Sequence, residues 1–228
     1  MWNLSADLAH WKSADLALTI DLKRPEHGLQ SLAINGDPID ACLLQIIPPG
    51  RSESRPETVI DAYPRGRDLV ATYAQTPQRT VRPQAYWSPG SDAGFCSIEI
   101  TLSMQSSLLQ STPQTEVCSR FSADCGPTQL LDLGGQSVER PGPNVAFVRQ
   151  ISELHRYAQF ALPADYAGAA IDDASGSIWR HRFFPDSLEK GVIRRCRLLG
   201  VLFTVKTPLN QLTEHLQAWV AAPPRLAT

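Results

Sequence analysis

Lysine is scarce in this chain: 4 Lys stand against 17 Arg in 228 residues, and the formal net charge is −2. A near-neutral balance lacks the basic footprint of a broad nucleic-acid binder, so no nucleic-acid partner is expected. Long apolar runs are also missing. None approaches the ~20 residues of a membrane span, and no membrane partner is expected. The opening Met1-Trp2-Asn3-Leu4-Ser5-Ala6-Asp7 has neither a basic stretch nor an apolar core, which reads as no secretory signal and a cytoplasmic protein. The five cysteines (Cys42, Cys96, Cys118, Cys125, Cys196) are odd in number, scattered and without a Cys-x-x-Cys, so reduced thiols are expected rather than a disulfide scaffold or metal site. Phosphate-loop, dinucleotide-binding, His-Glu-x-x-His and Gly-x-Ser-x-Gly signatures are all absent; Gly90 to Gly94 has the last spacing but carries Asp92 at its centre. No cofactor and no metal are expected.

What the chain does contain is alternation, with 18 Pro and 14 Gly to punctuate it. Leu16, Leu18, Ile20 and Leu22 fall on one side of an extended segment, and Ala17, Thr19, Asp21 and Lys23 on the other. Turns at Pro25 to Gly28 and at Asn35-Gly36 set off strands over Leu29 to Asn35 and Ile39 to Ile47, an antiparallel meander. A polar loop is expected from Gly50 to Glu57. Further strands are expected over Asp68 to Gln75, Arg79 to Trp87, Phe95 to Met104, Thr115 to Phe121, Val145 to Ile151, Tyr157 to Leu162, Ser177 to Phe184 and Val192 to Lys206. Gly200 would mark a bulge or bend in the last of these. Leu209, Leu212, Leu216, Trp219 and Val220 have helical spacing, with Thr207 as N-cap, Pro208 at the first helical position and Pro223 as the stop. The pattern predicts an all-β protein, a large antiparallel two-sheet β-sandwich with one C-terminal α-helix at about 208–221. A single domain over 1–228 is expected, with an internal loop over 122–143.

Three clusters carry candidate chemistry. In Trp179-Arg180-His181-Arg182, Trp179 and His181 share one face of a strand and the arginines the other. The pair is either a stacking surface with a titratable donor or a packed core. Arg65, Arg82, Tyr86 and Trp87 form a second cluster, since the planar guanidinium suits carboxylate, phosphate and vicinal hydroxyls. Ion pairs to Asp61 and Asp68 would explain the same residues. The third cluster is the arginine run Arg194, Arg195, Arg197. From Gly176 to Lys206 seven basic residues face two acidic ones. Arginines on both faces of one strand imply a polar cleft or a sheet edge, because unpaired buried guanidinium is costly.

Leu16-Ala17-Leu18-Thr19-Ile20 followed by Gly28-Leu29-Gln30-Ser31-Leu32-Ala33-Ile34-Asn35-Gly36 resembles the first hairpin of galactose mutarotase-like supersandwich domains. The resemblance covers that hairpin alone. It implies a two-sheet sandwich whose concave face binds carbohydrate. The two histidines and late glutamate on which mutarotases rely have no matching motif here, and no catalytic residue is carried over.

The expected function is binding of a carbohydrate or other polyhydroxylated or anionic small molecule on a concave sheet face. Arg65, Arg82, Tyr86, Trp87, Trp179, Arg182 and Arg195 are its candidate contacts. The alternative is a carbohydrate-active enzyme of mutarotase, epimerase, isomerase or lyase type using His181 or His155 with a carboxylate. Glu99, Glu189, Asp172 and Asp173 are the conceivable partners, all expected at the surface. A non-enzymatic subunit of a larger assembly is the third reading.

Overall fold

The alternation resolves into two large antiparallel sheets in the computed structural model, which describes residues 1–50, 55–92, 94–122, 124–172 and 178–223. Residues 51–54 of the loop after Gly50, Asp173 and Ser177 lie outside the described residues. In chain order the strands are β1 (Trp2–Ser5), β2 (Leu8–Lys12), β3 (Leu16–Asp21), β4 (Leu29–Ile34), β5 (Asp37–Pro38), β6 (Ala41–Ile47), β7 (Val59–Arg65), β8 (Asp68–Tyr73), β9 (Arg82–Asp92) and β10 (Phe95–Gln105). They continue with β11 (Gln110–Ser111), β12 (Thr115–Phe121), β13 (Gln129–Asp132), β14 (Val145–Gln150), β15 (His155–Ala161), β16 (Gly168–Asp172), β17 (Ile178–Phe183), β18 (Leu188–Glu189) and β19 (Ile193–Thr204), before the helix α1 (Leu209–Ala221).

One sheet runs β1-β2-β3-β4-β6-β12-β17-β16, with β5 beside β4; the other runs β13-β14-β15-β19-β10-β9-β8-β7. The short β11 and β18 pair with each other. The expected meander is present as β3-β4-β6. The elements that escaped the periodicity reading are short or lie at sheet edges, such as β1, β7, β13 and β16. There, one exposed side removes the selection for alternating apolar residues. β13 lies within 122–143 and pairs with β14.

The inward faces of both sheets meet in one core. Leu16, Leu18 and Ile20 of β3, Ile98, Ile100 and Leu102 of β10, Trp179 and Phe183 of β17 and Leu198 and Leu202 of β19 belong to it. A second core lies on the opposite face of the eight-stranded sheet. Here Leu212, Leu216 and Trp219 of α1 cover Phe95, Val148, Phe160, Leu199, Val201 and Phe203. Burial of each such large side chain stabilises the fold by roughly 1.5–3 kcal/mol, so docking on the sheet, not intrinsic propensity, holds α1. Its predicted span is correct, but its start is not. Pro208 occupies the N-cap position with no side-chain cap, and the Thr207 hydroxyl bonds to that of Thr204 instead, 3.1 Å away.

Gly200 does not mark a bulge. β19 keeps unbroken register with β10 over eleven pairs, Gly200 opposite Ile98. What the missing side chain provides is room, since a Cβ there would come within 2.9 Å of both Leu44 Cδ1 and the Tyr157 hydroxyl. Gly200→Ala is expected to destabilise the protein by roughly 1–3 kcal/mol through overpacking. Urea denaturation with unchanged far-UV circular dichroism of the native state would measure it; an undiminished midpoint would show that Tyr157 moves aside freely.

Candidate functional site

Each strand has two faces, and the two sheets sort the candidate residues into separate environments. Trp87, Trp179 and His181 point into the core between the sheets. The Trp179 ring stacks on Tyr157 at 5.7 Å between centroids, and its indole N–H donates to Thr128 Oγ1 at 3.0 Å. His181, 1% exposed, packs against Phe147. Gln159 faces it with its amide nitrogen 2.8 Å from Nδ1. The Gln159 carbonyl accepts from Ser119 Oγ at 2.6 Å and from the Tyr157 hydroxyl at 3.1 Å, so the NH₂ end must turn to His181 and donate. The imidazole proton therefore sits on Nε2, which is buried without a partner. Burial lowers the His181 pKa from 6.5 to about 3, and the ring is neutral at physiological pH. Of the two readings of this cluster, the packed core is the one the structure adopts.

Arg180 and Arg182 emerge on the outer side of the nine-stranded sheet. Arg182 pairs with Glu116 at 3.1 Å, and Arg180 with Asp172 at 3.0 Å and Glu116 at 3.4 Å. The seven-to-two basic excess from Gly176 to Lys206 is thus divided between β17 in one sheet and β19 in the other. It does not form a single surface.

β19 lies between β15 and β10, in the interior of its sheet. Its pairing with β15 ends at Leu198, however, so the arginine-bearing stretch 193–197 pairs with β10 alone and is a local edge, as one of the two explanations for its arginines expects. Arg194 is satisfied by Asp186 at 3.2 Å, while Arg195 and Arg197 point to the outer face of the eight-stranded sheet, in register with Ser103 and Thr101. Register across β8, β9, β10 and β19 arranges that face in rows: Val70-Tyr86-Thr101-Arg197, then Thr72-Gln84-Ser103-Arg195, then Arg82-Gln105-Ile193 at the end of the sheet. Helix α1 covers the other end. Between the two, Arg197 Nε meets Glu99 Oε1 at 2.7 Å, Trp219 donates its indole N–H to Glu99 Oε2 at 2.9 Å, and the guanidinium carbon lies 4.6 Å from the centre of a Trp219 ring. Glu99 is therefore buried, contrary to the surface position expected for it.

Beyond Arg197 the face opens. The Tyr86 hydroxyl donates to Gln84 Oε1, and Gln84 Nε2 donates to Thr72 Oγ1 at 2.9 Å. Burial raises the Tyr86 pKa above its usual 10.0. The charges of Arg195 and Arg65 oppose that rise, and Tyr63 and Asp68 reinforce it. The phenol thus marks a point where β7, β8, β9 and β19 bring together two tyrosines, two arginines and an aspartate. Arg65 and Arg195 make no side-chain hydrogen bond or ion pair among the described residues, although Arg65 is directly opposite Asp68 in register. Arg82 lies on the same face and donates to Gln105 Oε1.

Two cavities flank this face. One of about 280 Å³ is lined by Asp165, Tyr166, Phe184, Arg194 and Arg195. It exists because β15 ends at Ala161 and the 3-10 turn Pro163–Asp165 continues beside β19, where Asp165 Oδ2 accepts the Arg197 backbone N–H at 2.9 Å. Burial raises the Asp165 pKa, against the lowering effects of that N–H and of the Arg197 charge. The other cavity, about 330 Å³, lies at the Arg82-Gln105 row. His155 is elsewhere: it is buried at the start of β15, its Nδ1 3.4 Å from Ser152 Oγ. It lines a separate 220 Å³ cavity with Asp15, Ser91 and Cys96 at one end of the sandwich.

Of the residues singled out from sequence, Arg65, Arg82, Tyr86 and Arg195 share one face. Trp87, Trp179 and His181 are core, Arg182 is on the other sheet, and His155 lines a different cavity. Ser103 and Thr101 fall within the strand expected over Phe95 to Met104, but nothing in the sequence marked their side as a site. Asp165 and Tyr166 had no sequence signal at all. Among the described residues no helix is long and apolar enough to cross a membrane.

Two open antiparallel sheets of nine and eight strands, packed face to face with one C-terminal helix on the outside, define the supersandwich class of β-sandwich. No family model matches the chain, and no curated protein matches it in sequence. Solved structures share the fold. The Slr1438 protein from Synechocystis sp. PCC 6803 is similar with a TM-score of 0.57 at 10% identity, covering 90% of this chain and 100% of its own. Galactose 1-epimerase from Lactobacillus acidophilus NCFM is similar with a TM-score of 0.50 at 7% identity, covering 90% and 98%. The α-N-acetylgalactosaminidase NagBb from Bifidobacterium bifidum is similar with a TM-score of 0.57 at 13% identity, over 96% of this chain and 38% of that one. The mutarotase-like likeness read from one hairpin thus extends to the architecture as a whole.

Proposed function

We propose that this protein binds a carbohydrate on the outer face of the eight-stranded sheet, around Tyr86, Ser103 and Arg195. The observation that carries the reading is the setting of Arg195. An exposed, unpaired guanidinium stands beside the buried Tyr86, Thr101 and Ser103 and the half-buried Thr72 and Gln84, with Gln84 hydrogen-bonded to both Thr72 and Tyr86. Such an array pre-positions donors and acceptors for the hydroxyls of a sugar ring, and Tyr86 and Tyr63 add aromatic surface. Two of the fold's neighbours are named for galactose and N-acetylgalactosamine chemistry, which supports a sugar over other polyhydroxylated ligands.

Thermal-shift screening against a panel of neutral sugars and sugar acids is expected to raise the melting temperature for at least one class. Arg195→Ala should abolish the shift while leaving the unliganded melting temperature unchanged, because the side chain is exposed and unpaired. A shift that survives both Arg195→Ala and Tyr86→Phe would place the ligand elsewhere, and no shift from any class would remove the reading.

A catalytic role is the second reading, and Asp165 is the observation that favours it. A half-buried carboxyl with a raised pKa stands with Tyr166 in the cavity that Arg195 lines, where a proton donor or acceptor would reach a sugar bound at Arg195. His181 is sealed in the core, and His155 lines the cavity at one end of the sandwich instead. In this reading neither supplies the group.

A further inference from the structure

The 330 Å³ cavity at the end of the same face is lined by Gln75, Arg82, Gln105, Ser106, Ser107, Lys190 and Gly191. Its described lining holds two cations and no carboxylate. The hydrogen bonds around it are also one-sided. Gln105 Oε1 accepts from Arg82, and Gln75 Oε1 accepts from Ser107 Oγ at 3.1 Å. Ser106 Oγ is committed to the backbone carbonyl of Thr80 at 3.0 Å. With each carbonyl oxygen already accepting one bond inside the protein, both glutamines also present amide N–H groups, which can only donate. Arg82 keeps further N–H groups. Lys190 is exposed and has no hydrogen bond or ion pair among the described residues. A cavity into which two glutamine amides, an arginine and a lysine present N–H donors, two of them charged, with no carboxylate in its described lining, is complementary to an oxyanion.

Its position relates it to the face described above. Arg82 and Gln105 lie one row beyond Gln84 and Ser103. Two residues along a strand advance about 7 Å, within the length of one pyranose ring together with its exocyclic charged group. On this basis, and resting on the proposed sugar site at Tyr86 and Arg195, we infer that the ligand is an anionic sugar. Its phosphate or carboxylate sits between Arg82 and Lys190 while its ring lies over the Ser103-Arg195 row. Both groups place an oxyanion at the exocyclic position of the ring, and the assay separates them.

Titration calorimetry at low salt with glucose, galactose, their 6-phosphates, the corresponding uronates and inorganic phosphate tests the assignment. At least one anionic sugar should bind ten times or more tightly than its neutral parent. The gain should vanish in the Arg82→Gln/Lys190→Gln double variant and in Lys190→Glu, and shrink at high salt. A gain confined to the 6-phosphates or to the uronates names the anion. Both substituted side chains are exposed, so the variants should fold, and an unchanged melting temperature is the control. A neutral sugar that binds through Arg195 as tightly as its charged counterparts overturns this inference and leaves the sugar site standing. A gain that persists in the double variant also overturns it. Inorganic phosphate binding as tightly as a sugar phosphate overturns it too, since the ring would then add nothing. If no sugar of either kind binds, the site itself falls and the inference with it.

Discussion

Arg197→Met is expected to cost about 3–5 kcal/mol of stability, the usual penalty for leaving one member of a buried ion pair without the other. The Glu99 and Arg197 side chains are 3% and 7% exposed, so water cannot replace the lost partner. Arg197 also contributes its stacking on Trp219. Because Trp219 bonds to the same carboxylate, the variant should loosen α1 before the sandwich itself. Urea denaturation followed by circular dichroism would read the global loss, and protection of α1 amides from hydrogen exchange would read the local one. Glu99→Leu combined with Arg197→Met should recover much of the stability, since a neutral apolar pair leaves no stranded charge. If the single variant loses less than about 1 kcal/mol, the pair is solvated in solution and α1 is held by its apolar packing on the sheet.

Acid should weaken the fold through His181. Its folded pKa of about 3 lies below the ordinary 6.5 because the ring is buried. Above pH 6.5 it is neutral whether folded or unfolded and contributes no pH dependence. Between pH 6.5 and 3 only the unfolded chain takes up the proton. Stability then falls with pH by up to about 1.4 kcal/mol per unit, a total of roughly 4–5 kcal/mol across the window. Below pH 3 both states are charged and the slope ends. Protonation of the folded ring would place a second N–H at Nδ1, facing the Gln159 NH₂ group, so the charge cannot enter without breaking the Ser119-Tyr157-Gln159 network. His181→Leu should flatten the dependence of the urea midpoint between pH 4 and 6 by about one proton relative to the parent. Equal slopes in the two proteins would mean that carboxylates alone set the acid limit.

How much could be read beforehand differs by element, for physical reasons. β3, β10, β12 and β19 are flanked by other strands and carry one or both faces in apolar contact, so burial imposes a period on their sequences. Helix α1 was legible for the same reason, its apolar stripe lying over Leu199 and Phe203. β7 and β16 are edge strands with little buried surface, and nothing in Val59 to Arg65 or Gly168 to Asp172 forces a pattern. Gly200 was correctly marked as special but misread. A strand can need a glycine for the space opposite it as well as for its backbone.

Tyr86, Arg195, Arg65 and Arg82 were picked out as side chains suited to a polar ligand, and they do lie on one face. Trp179 and His181 were equally suggestive, yet they are packed and hydrogen-bonded inside the core. Alternation says which residues share a side of a strand, but not whether that side meets the other sheet, a helix or water. Lys190 and Asp165 acquire their meaning from neighbours distant in sequence, Arg82 and Gln105 for one, Arg195 and Tyr166 for the other.

By itself, then, the sequence determined the class of fold and the pairing of side chains along each strand, because both follow from local period and turn chemistry. The tertiary structure alone decided which side of each strand became core. It split one arginine-rich segment between two sheets and left Arg195 without a partner beside a row of hydroxyls. Those outcomes depend on which strands become neighbours, and strand neighbourhood is settled by the packing of the whole chain.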